Sequence, residues 1–423
     1  MSRRVLFIAY LFPPIANSGT QRPLKFAKYL PQLGWDPLVV TAQRVSEHRQ
    51  DQRLLEDVPL DMRVVRVPML NDRIGAVAST LGLGMVKPET IAEGISWRLR
   101  NHWQSPDLYA LWRPTARRAA MKLYREVGFD AIYATGFPWT SLLTGMDVSK
   151  LTGRPLVADF RDLWASEDLF TSDDLGRDQV MEAEVVDHAA AILSISSSMT
   201  DRMVAAHPSA NPAKFYTIPN GYDPSDMARI EPWPRQRFRI VYTGVWKKGY
   251  GLDSLYDAIE TIAKTEPALL ANVEVMAAGF EPGPAHERGL SDYVDELGVL
   301  SHDDAVALMR SADVLYLRNF EGIRQEWCLP GKIFEYLATG RPLLAVTRPD
   351  GEAGRLIERI GGGVVIDPTD TVGLLRTLTV ALRRGALEVP PQDQGLLRAF
   401  ERPALTRLLA SVFDTVTRQT AVA

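Results

Sequence analysis

The sequence predicts two α/β domains, each built on a doubly wound parallel sheet. Short runs that are apolar on both faces alternate with longer segments of helical periodicity, and this alternation occurs twice along the chain. Strands buried on both faces are typical of parallel sheets covered by helices, and repeated strand–helix order is typical of doubly wound folds. The length of 423 residues agrees, because it exceeds what one hydrophobic core usually supports.

The predicted strands fall into two series separated by a polar gap. The first series comprises Val5–Tyr10, Asp36–Thr41, Arg63–Val67, Ala131–Ala134, Pro155–Asp159 and Ala191–Ser194. The second comprises Phe238–Thr243, Val273–Ala278, Val314–Leu317, Leu343–Val346 and Gly363–Ile366. Amphipathic segments between these runs predict the covering helices, among them Gln21–Leu33, Ala116–Val127, Leu252–Thr265, His302–Ala312 and Lys332–Ala338.

The gap between the two series sets the predicted domain boundary. Residues 223–237 are polar and contain several prolines, which is typical of a linker. We therefore predict an N-terminal domain over 1–222 and a C-terminal domain over 223–395. A final helical segment over 396–423 could pack back on the N-terminal domain. Residues 72–112 fit neither series and predict a helical insertion, either a covering layer or an apolar surface for an acceptor or a membrane.

Composition excludes several classes of protein. The formal net charge of -4 gives no sign of nucleic-acid binding, and 46% hydrophobic with 24% charged residues is ordinary for a globular chain. Cys328 is the single cysteine, which excludes an intrachain disulfide and a cysteine-rich metal site. The apolar run after Arg4 is broken by Pro13-Pro14, so it predicts a buried strand rather than a signal peptide. We expect a cytoplasmic protein, with peripheral membrane contact as a further expectation; the oligomeric state is not predicted.

Chemistry-bearing residues follow several strands of the first domain. Gly19 lies in a loop of small residues between the first strand and a helix, where exposed N–H groups could bind an anion or where the glycine merely permits a turn. Asp159, Arg161 and Asp162 follow the fifth strand, at the edge where open α/β sheets bind ligands. Pairing between these charges is the structural alternative. Asn220 lies in a turn before the gap, which could also be a plain interdomain turn.

The second domain repeats this arrangement. Thr243 and Gly244 end a strand, and Lys247 and Lys248 follow; two lysines there could neutralise a diphosphate or could simply be solvated. Lys332 begins a short helix in which Glu335 has apolar neighbours. A carboxylate in that position could accept hydrogen bonds from a ribose diol, or it could lie at the surface.

Taken together, these segments resemble the family-4 glycosyltransferases, which have the GT-B fold of two Rossmann-like domains facing a cleft. The resemblance covers nearly the whole chain. It rests on the order and spacing of Pro13-Pro14 with Ser18–Arg22, Asp159–Trp164, Pro219–Asp223, Thr243-Gly244 with Lys248-Gly249, Ala312–Val314 and Lys332–Pro342. It implies a retaining transferase that moves a sugar from a nucleotide diphosphate donor, of UDP or GDP type, to a hydroxyl of a glycan, a lipid-linked molecule or a small natural product. No cofactor and no obligatory metal are implied.

The resemblance also implies roles for individual residues. Glu335 would hold the donor ribose, Lys248 would neutralise the leaving diphosphate, and the Gly19 N–H would contact the diphosphate or the reacting sugar. By the same reasoning the expected catalytic residues are Lys248, Arg161 and Asp162. The expected donor-binding residues are Gly19, Thr243, Gly244, Lys247, Lys248, Glu326, Lys332 and Glu335. The expected contacts to sugar or acceptor are Asp159, Arg161, Arg22 and Asn220.

Two positions depart from the family pattern. Trp327 stands where the first glutamate of the family's E-x7-E motif is expected, with Glu326 one residue away, and Arg161 stands where many relatives carry a sugar-binding histidine. These departures bear on which sugar is held. The alternatives to glycosyl transfer are a pseudo-glycosyltransferase or nucleotide-sugar epimerase on the same fold, or a non-catalytic protein that binds sugar nucleotides.

Overall fold

The computed structural model describes residues 3–43, 49–69, 106–165, 175–246, 251–319, 322 and 324–422. Within these ranges the chain forms two compact units. The first comprises Met1–Ile218 and Thr406–Ala423, and the second comprises Pro219–Leu405. The two-domain α/β fold predicted from the alternating strands and helices is confirmed, since each unit carries one parallel sheet.

The sheet of the first unit has seven parallel strands in the order β3-β2-β1-β4-β5-β6-β7. The strands are β1 Arg3–Ile8, β2 Trp35–Ala42, β3 Arg63–Val67, β4 Ala131–Gly136, β5 Leu156–Phe160, β6 Ala191–Ser194 and β7 Phe215–Thr217. The helices are α1 Ser18–Tyr29, α2 Arg113–Val127, α3 Thr140–Thr152, α4 Leu175–His188 and α5 Ser197–Ala206. The central strands are buried on both faces, as their apolar runs require.

The sheet of the second unit has six parallel strands in the order β10-β9-β8-β11-β12-β13. They are β8 Phe238–Thr243, β9 Val273–Ala278, β10 Val294–Glu296, β11 Val314–Arg318, β12 Leu343–Val346 and β13 Gly363–Ile366. The helices are α6 Pro224–Arg229, α7 Asp253–Thr265, α8 Pro284–Glu287, α9 His302–Arg310, α10 Arg324–Trp327, α11 Lys332–Ala338, α12 Glu352–Ile360, α13 Thr371–Arg384 and α14 Gln394–Arg398. Apolar clusters cover both faces of this sheet.

The interpretation of residues 223–237 as a linker is wrong, because this segment packs on the second unit. It contains α6, and Ile230 is buried in the core of that unit. Arg229 forms an ion pair with Asp303, and the Trp233 N–H bonds the Ala307 carbonyl. Polar residues and prolines are as compatible with a docked surface segment as with a linker, so composition could not separate the two.

The last helix, α15 Arg402–Val422, begins in the second unit and continues in the first. In the first unit, Asp414 accepts a hydrogen bond from the Trp35 indole and pairs with Arg3, and the Phe413 ring contacts Trp35.

Most of the predicted insertion at 72–112 lies outside the described residues. Within the described ranges, no helix is both long enough and apolar enough to cross a membrane.

Candidate active site

Both sheets have a topological switch point, where strands distant in sequence lie side by side. In the first unit β1 pairs with β4, and in the second β8 pairs with β11. The connections on either side of such a point diverge to opposite faces of the sheet. The divergence leaves a crevice at the carboxyl ends of the strands, which is where open α/β sheets bind ligands. Most predicted site residues fall at one of these two places.

In the first unit, Arg161 follows β5 and its side chain reaches back to the end of β4. Its Nε donates to the Gly136 carbonyl at 2.7 Å, and its Nη2 donates to the Phe137 carbonyl. Trp164 stacks on Trp139, with ring centroids 5.3 Å apart, and thereby anchors the segment that carries the arginine. These contacts fix the guanidinium in one orientation at the switch point.

Gly19 makes room for that guanidinium. A Cβ at this position would overlap Nη1 of Arg161 and lie 2.9 Å from Nη2, so no other residue fits without moving the arginine. The Gly19 N–H donates to the Asn17 side chain at 2.8 Å, as part of the cap that begins α1. The Gly19 N–H, which was expected to contact a ligand, is therefore already hydrogen-bonded within the protein. Gly19 instead has a steric role, because its lack of a side chain leaves space for the Arg161 guanidinium.

Arg22 and Asp159 form a buried ion pair beneath this site. Nε and Nη2 of Arg22 each donate to Asp159 at 2.8 Å, and Tyr133 and Thr135 also donate to that carboxylate. Both charged residues are almost fully buried, at 1% and 0% exposure. Burial opposes ionisation of both groups, but their mutual attraction raises the pKa of Arg22 and lowers that of Asp159. This geometry favours the structural alternative over direct contact with a sugar or an acceptor.

The other two predicted residues of this region differ in their surroundings. Asp162 is partly buried immediately after Arg161, and its charge acts to raise the pKa of that arginine. Asn220 is partly buried in a turn that is fastened to the start of α15, because the N–H of Tyr222 bonds the Phe400 carbonyl and the N–H of Arg402 bonds the Tyr222 carbonyl. The turn has a structural role whether or not Asn220 meets a ligand.

In the second unit, Lys332 lies beside Gly244, as Arg161 lies beside Gly19 in the first. Its ammonium lies 4.2 Å from the centroid of the Tyr242 ring, and a Cβ at Gly244 would overlap its Nζ. Burial lowers the pKa of Lys332 to about 7. Gly244 is held in place by its own N–H, which donates to the Ala278 carbonyl at 2.8 Å.

The helix that carries Lys332 is fastened to the end of β8. The Thr243 N–H donates to the Tyr336 hydroxyl at 2.7 Å, and that hydroxyl donates to the Thr243 carbonyl at 3.2 Å. Burial raises the pKa of Tyr336 to about 12, so it remains a neutral donor and acceptor. Glu335 is partly buried and lies three residues after Lys332 on α11, so their side chains share one side of the helix.

The remaining predicted residues of the second unit are less informative. Glu326 is about 39% exposed and pairs with Arg348 at 3.4 Å, whereas Trp327 is 1% exposed and therefore belongs to the core. Lys247 and Lys248 lie outside the described residues. Their expected roles stay predictions.

Sequence reasoning missed the groups that hold the two cations. The Gly136 and Phe137 carbonyls position Arg161, but backbone groups have no residue signature. Tyr242 and Tyr336 lie in apolar runs that predict core positions, and both are indeed buried. Their positions in the sequence could have identified them. Tyr242 lies near the end of a predicted strand and Tyr336 follows Glu335, and from both positions a hydroxyl can reach the edge of the sheet.

Comparison with known proteins agrees with this architecture. Residues 19–221 match the model of a glycosyl transferase 4-like domain. The trehalose 6-phosphate synthase of Burkholderia multivorans superposes with a TM-score of 0.62 at 12% identity, covering 99% of this chain and 100% of that one. Anabaena HepE, solved with UDP-glucose, gives a TM-score of 0.57 at 17% identity, covering 99% and 98%. The UDP-GlcNAc 2-epimerase of Methanocaldococcus jannaschii gives 0.56 at 8% identity, covering 98% and 99%.

These likenesses differ in what they establish. At such low identities the structural neighbours show the fold alone, and no curated protein is significantly similar in sequence. The domain match is sequence-based and spans both Gly19 and Arg161. The resemblance to the family-4 glycosyltransferases is thereby confirmed. We conclude that the chain has the GT-B fold, and that residues 19–221 form a glycosyl transferase 4-like domain.

Proposed function

We propose that the enzyme transfers a sugar, with retention of its anomeric configuration, from a nucleotide diphosphate sugar to a hydroxyl group. The donor is of UDP or GDP type, and the acceptor is a glycan, a lipid-linked molecule or a small natural product. The observation that carries the proposal is Lys332, a lysine without a carboxylate partner among the described residues, held against Gly244 at the switch point of the second sheet.

Lys332 suits a diphosphate leaving group. Negative charge develops on the diphosphate as the glycosidic bond breaks, and a preorganised cation in a partly buried site stabilises that charge. Because Gly244 has no side chain, a phosphate can approach both the ammonium and the backbone after β8. Positive charge supplied in this way performs the task that a metal ion performs in other transferases, so we propose that the reaction needs no metal.

Glu335 suits the ribose of the donor. It lies on the same side of α11 as Lys332, and a carboxylate can accept hydrogen bonds from both hydroxyls of a vicinal diol. The Tyr336 hydroxyl fixes this helix to Thr243, which holds Glu335 at a constant distance from the end of β8. In retaining enzymes of this kind the departing phosphate can itself accept the proton of the incoming hydroxyl, so no side-chain base is required.

A thermal-shift panel tests the donor site. UDP, GDP, ADP, dTDP and CDP are each added to the wild type, to Glu335→Gln and to the matched control Glu388→Gln, whose carboxylate is 77% exposed. A ligand that binds only the folded state raises the apparent stability. We expect UDP or GDP to stabilise the wild type and the control, and to stabilise Glu335→Gln far less. If no nucleotide stabilises the wild type, the proposed donor site is refuted.

Nuclear magnetic resonance of the reaction mixture tests the chemistry. With the nucleotide sugar chosen by the panel, the first anomer released or transferred should have the configuration of the donor, and the rate should not change on addition of EDTA. An epimerase on the same fold would instead interconvert donor epimers without releasing the sugar. That result, or first release of the opposite anomer, would contradict retaining transfer.

A further inference from the structure

Two arginines lie at the same edge of the first sheet, but only one of them has its charge neutralised. Arg22 donates twice to Asp159. Arg161 donates to the carbonyls of Gly136 and Phe137, and among the described residues no carboxylate oxygen lies within the 4.0 Å of an ion pair with it. Its Nη1 has no hydrogen-bond partner in that part of the chain.

Carbonyl groups satisfy guanidinium donors without cancelling the charge. Arg161 is partly buried, and removing an uncompensated charge from water even in part is costly, so native proteins pair such charges or hold them for a ligand. The pKa of Arg161 is lowered by burial, although the charges of Asp159 and Asp162 act in the opposite direction. Even so, a guanidinium stays protonated at neutral pH. The free protein therefore holds a permanent positive charge at this point.

The position of this charge favours a ligand over a purely structural role. Arg161 lies between the end of β4 and Gly19 in the first turn of α1, so it lies at the switch point between β1 and β4. Hydrogen bonds to two carbonyls restrict the orientation of the Arg161 guanidinium. This restriction lowers the entropy cost of binding a planar or tetrahedral anion through two parallel hydrogen bonds. A side chain at position 19 would displace this guanidinium.

We propose that Arg161 binds a carboxylate or phosphate group of the substrate that occupies the first unit, other than the diphosphate of the donor. This inference rests on the proposed glycosyl transfer and adds a substrate class to it: either the transferred sugar or the acceptor is anionic. The donor diphosphate has its own cation in Lys332, which lies at the switch point of the other sheet. Arg161 is thus available to a second anionic group.

Matched pairs of ligands test the proposal. The first pair is UDP-glucose and UDP-glucuronate, which differ by one carboxylate on the transferred sugar; GDP-mannose and GDP-mannuronate replace them if the enzyme binds GDP. The second pair is glucose and glucose 6-phosphate, added as acceptors. Affinities are measured by calorimetry on the wild type, Arg161→Gln, Arg161→Lys and the control Arg125→Gln, whose arginine is exposed and hydrogen-bonded to the Met121 carbonyl.

We expect the wild type to favour the anionic member of one pair by about 10-fold or more, as charged hydrogen bonds of this kind give. Arg161→Gln should abolish that preference, Arg161→Lys should keep part of it, and Arg125→Gln should leave it unchanged. A preference in the first pair assigns the anion to the sugar, and one in the second pair assigns it to the acceptor. Affinity for UDP or GDP alone should be the same in all four proteins.

Three results would overturn the proposal. The first is a wild type that favours neither anionic ligand. The second is an Arg161→Gln variant that keeps the preference. The third is an equal loss for neutral ligands, anionic ligands and the free nucleotide, which would place Arg161 on the donor diphosphate. Gly19→Ala keeps the arginine but displaces it, so a reduced preference in that variant supports the assignment even if Arg161→Gln does not fold. Because nucleotide binding is measured separately, failure of the proposed donor site would be distinguished from failure of the role proposed for Arg161.

Discussion

The carboxyl edges of the two sheets carry different cations in similar surroundings. Each places a positive group over a glycine at its switch point, Arg161 over Gly19 in the first unit and Lys332 over Gly244 in the second. Carbonyl groups hold the arginine, whereas an aromatic ring lies beneath the lysine. The arginine stays charged throughout the physiological pH range, but the lysine has a pKa of about 7 and gains or loses its charge within that range. The first site is therefore permanently positive, and the second is switchable.

The largest expected effect separates the paired arginine from the unpaired one. Asp159→Asn leaves Arg22 buried without a counter-charge, and breaking a buried pair in this way costs about 3–5 kcal/mol of unfolding free energy. Arg161→Gln removes a charge that has no partner among the described residues, so we expect it to change stability by about 1 kcal/mol or less. Urea denaturation followed by tryptophan fluorescence measures both, with Asp201→Asn on the exposed face of α5 as the control. Equal losses in the two variants would contradict the distinction.

The next largest effect concerns the cation of the second unit. Lys332→Ala removes the charge that we propose for the leaving diphosphate, and losing one such group costs about 10²–10³-fold in turnover. Lys332→Arg keeps a charge but brings a wider head into the space beside Gly244, so we expect a smaller loss. Rates of donor hydrolysis, and of transfer once an acceptor is found, measure the effect. Full activity in Lys332→Ala would assign the neutralisation of the diphosphate to another group.

Substitution of either glycine tests the two sites separately, because it displaces the neighbouring cation without removing it. Gly244→Ala should weaken nucleotide binding by about 10-fold, because an added methyl overlaps Nζ of Lys332 and overpacking of this kind costs about 1–3 kcal/mol. Gly19→Ala should leave nucleotide affinity unchanged and should reduce only the preference for an anionic substrate group. Gly176→Ala on α4 is the control, since a Cβ there meets nothing within 4 Å. If both variants weakened nucleotide binding alike, the two sites would not have separate roles.

Periodicity predicted the strands that are buried on both faces, because their apolar runs are long and unbroken. It missed β7 Phe215–Thr217 and β10 Val294–Glu296, the short edge strands at one side of each sheet. An edge strand has one partner and is partly solvated, so its sequence does not need an apolar run. The packed segment 223–237 was misread for a related reason, since only a few of its residues, such as Ile230, are buried.

The candidate site was predictable as a place more than as a set of contacts. Strand order alone locates ligand groups at the carboxyl edge of a parallel sheet, and this rule selected Asp159, Arg161 and Asp162. It could not tell that Asp159 pairs with Arg22 rather than with its sequence neighbour Arg161, because that choice depends on the direction in which α1 packs over the sheet. Pairing is a tertiary property, and it decides which charge remains for a ligand.

The smallest expected effect is the pH dependence of donor binding, and its sign follows from the pKa of Lys332. Burial alone places that pKa at about 7, so the ammonium is charged below pH 7 and becomes neutral above it. An anion stabilises the charged form, so bound donor raises the pKa and binding takes up a proton at pH 8. The affinity for an uncleaved nucleotide sugar, whose diphosphate does not titrate in this range, should therefore fall by about 5-fold between pH 7 and pH 8. Calorimetry in buffers of different ionisation enthalpy counts the protons directly. Lys332→Arg should bind with no uptake, and uptake that persisted in that variant would assign the titration to another residue.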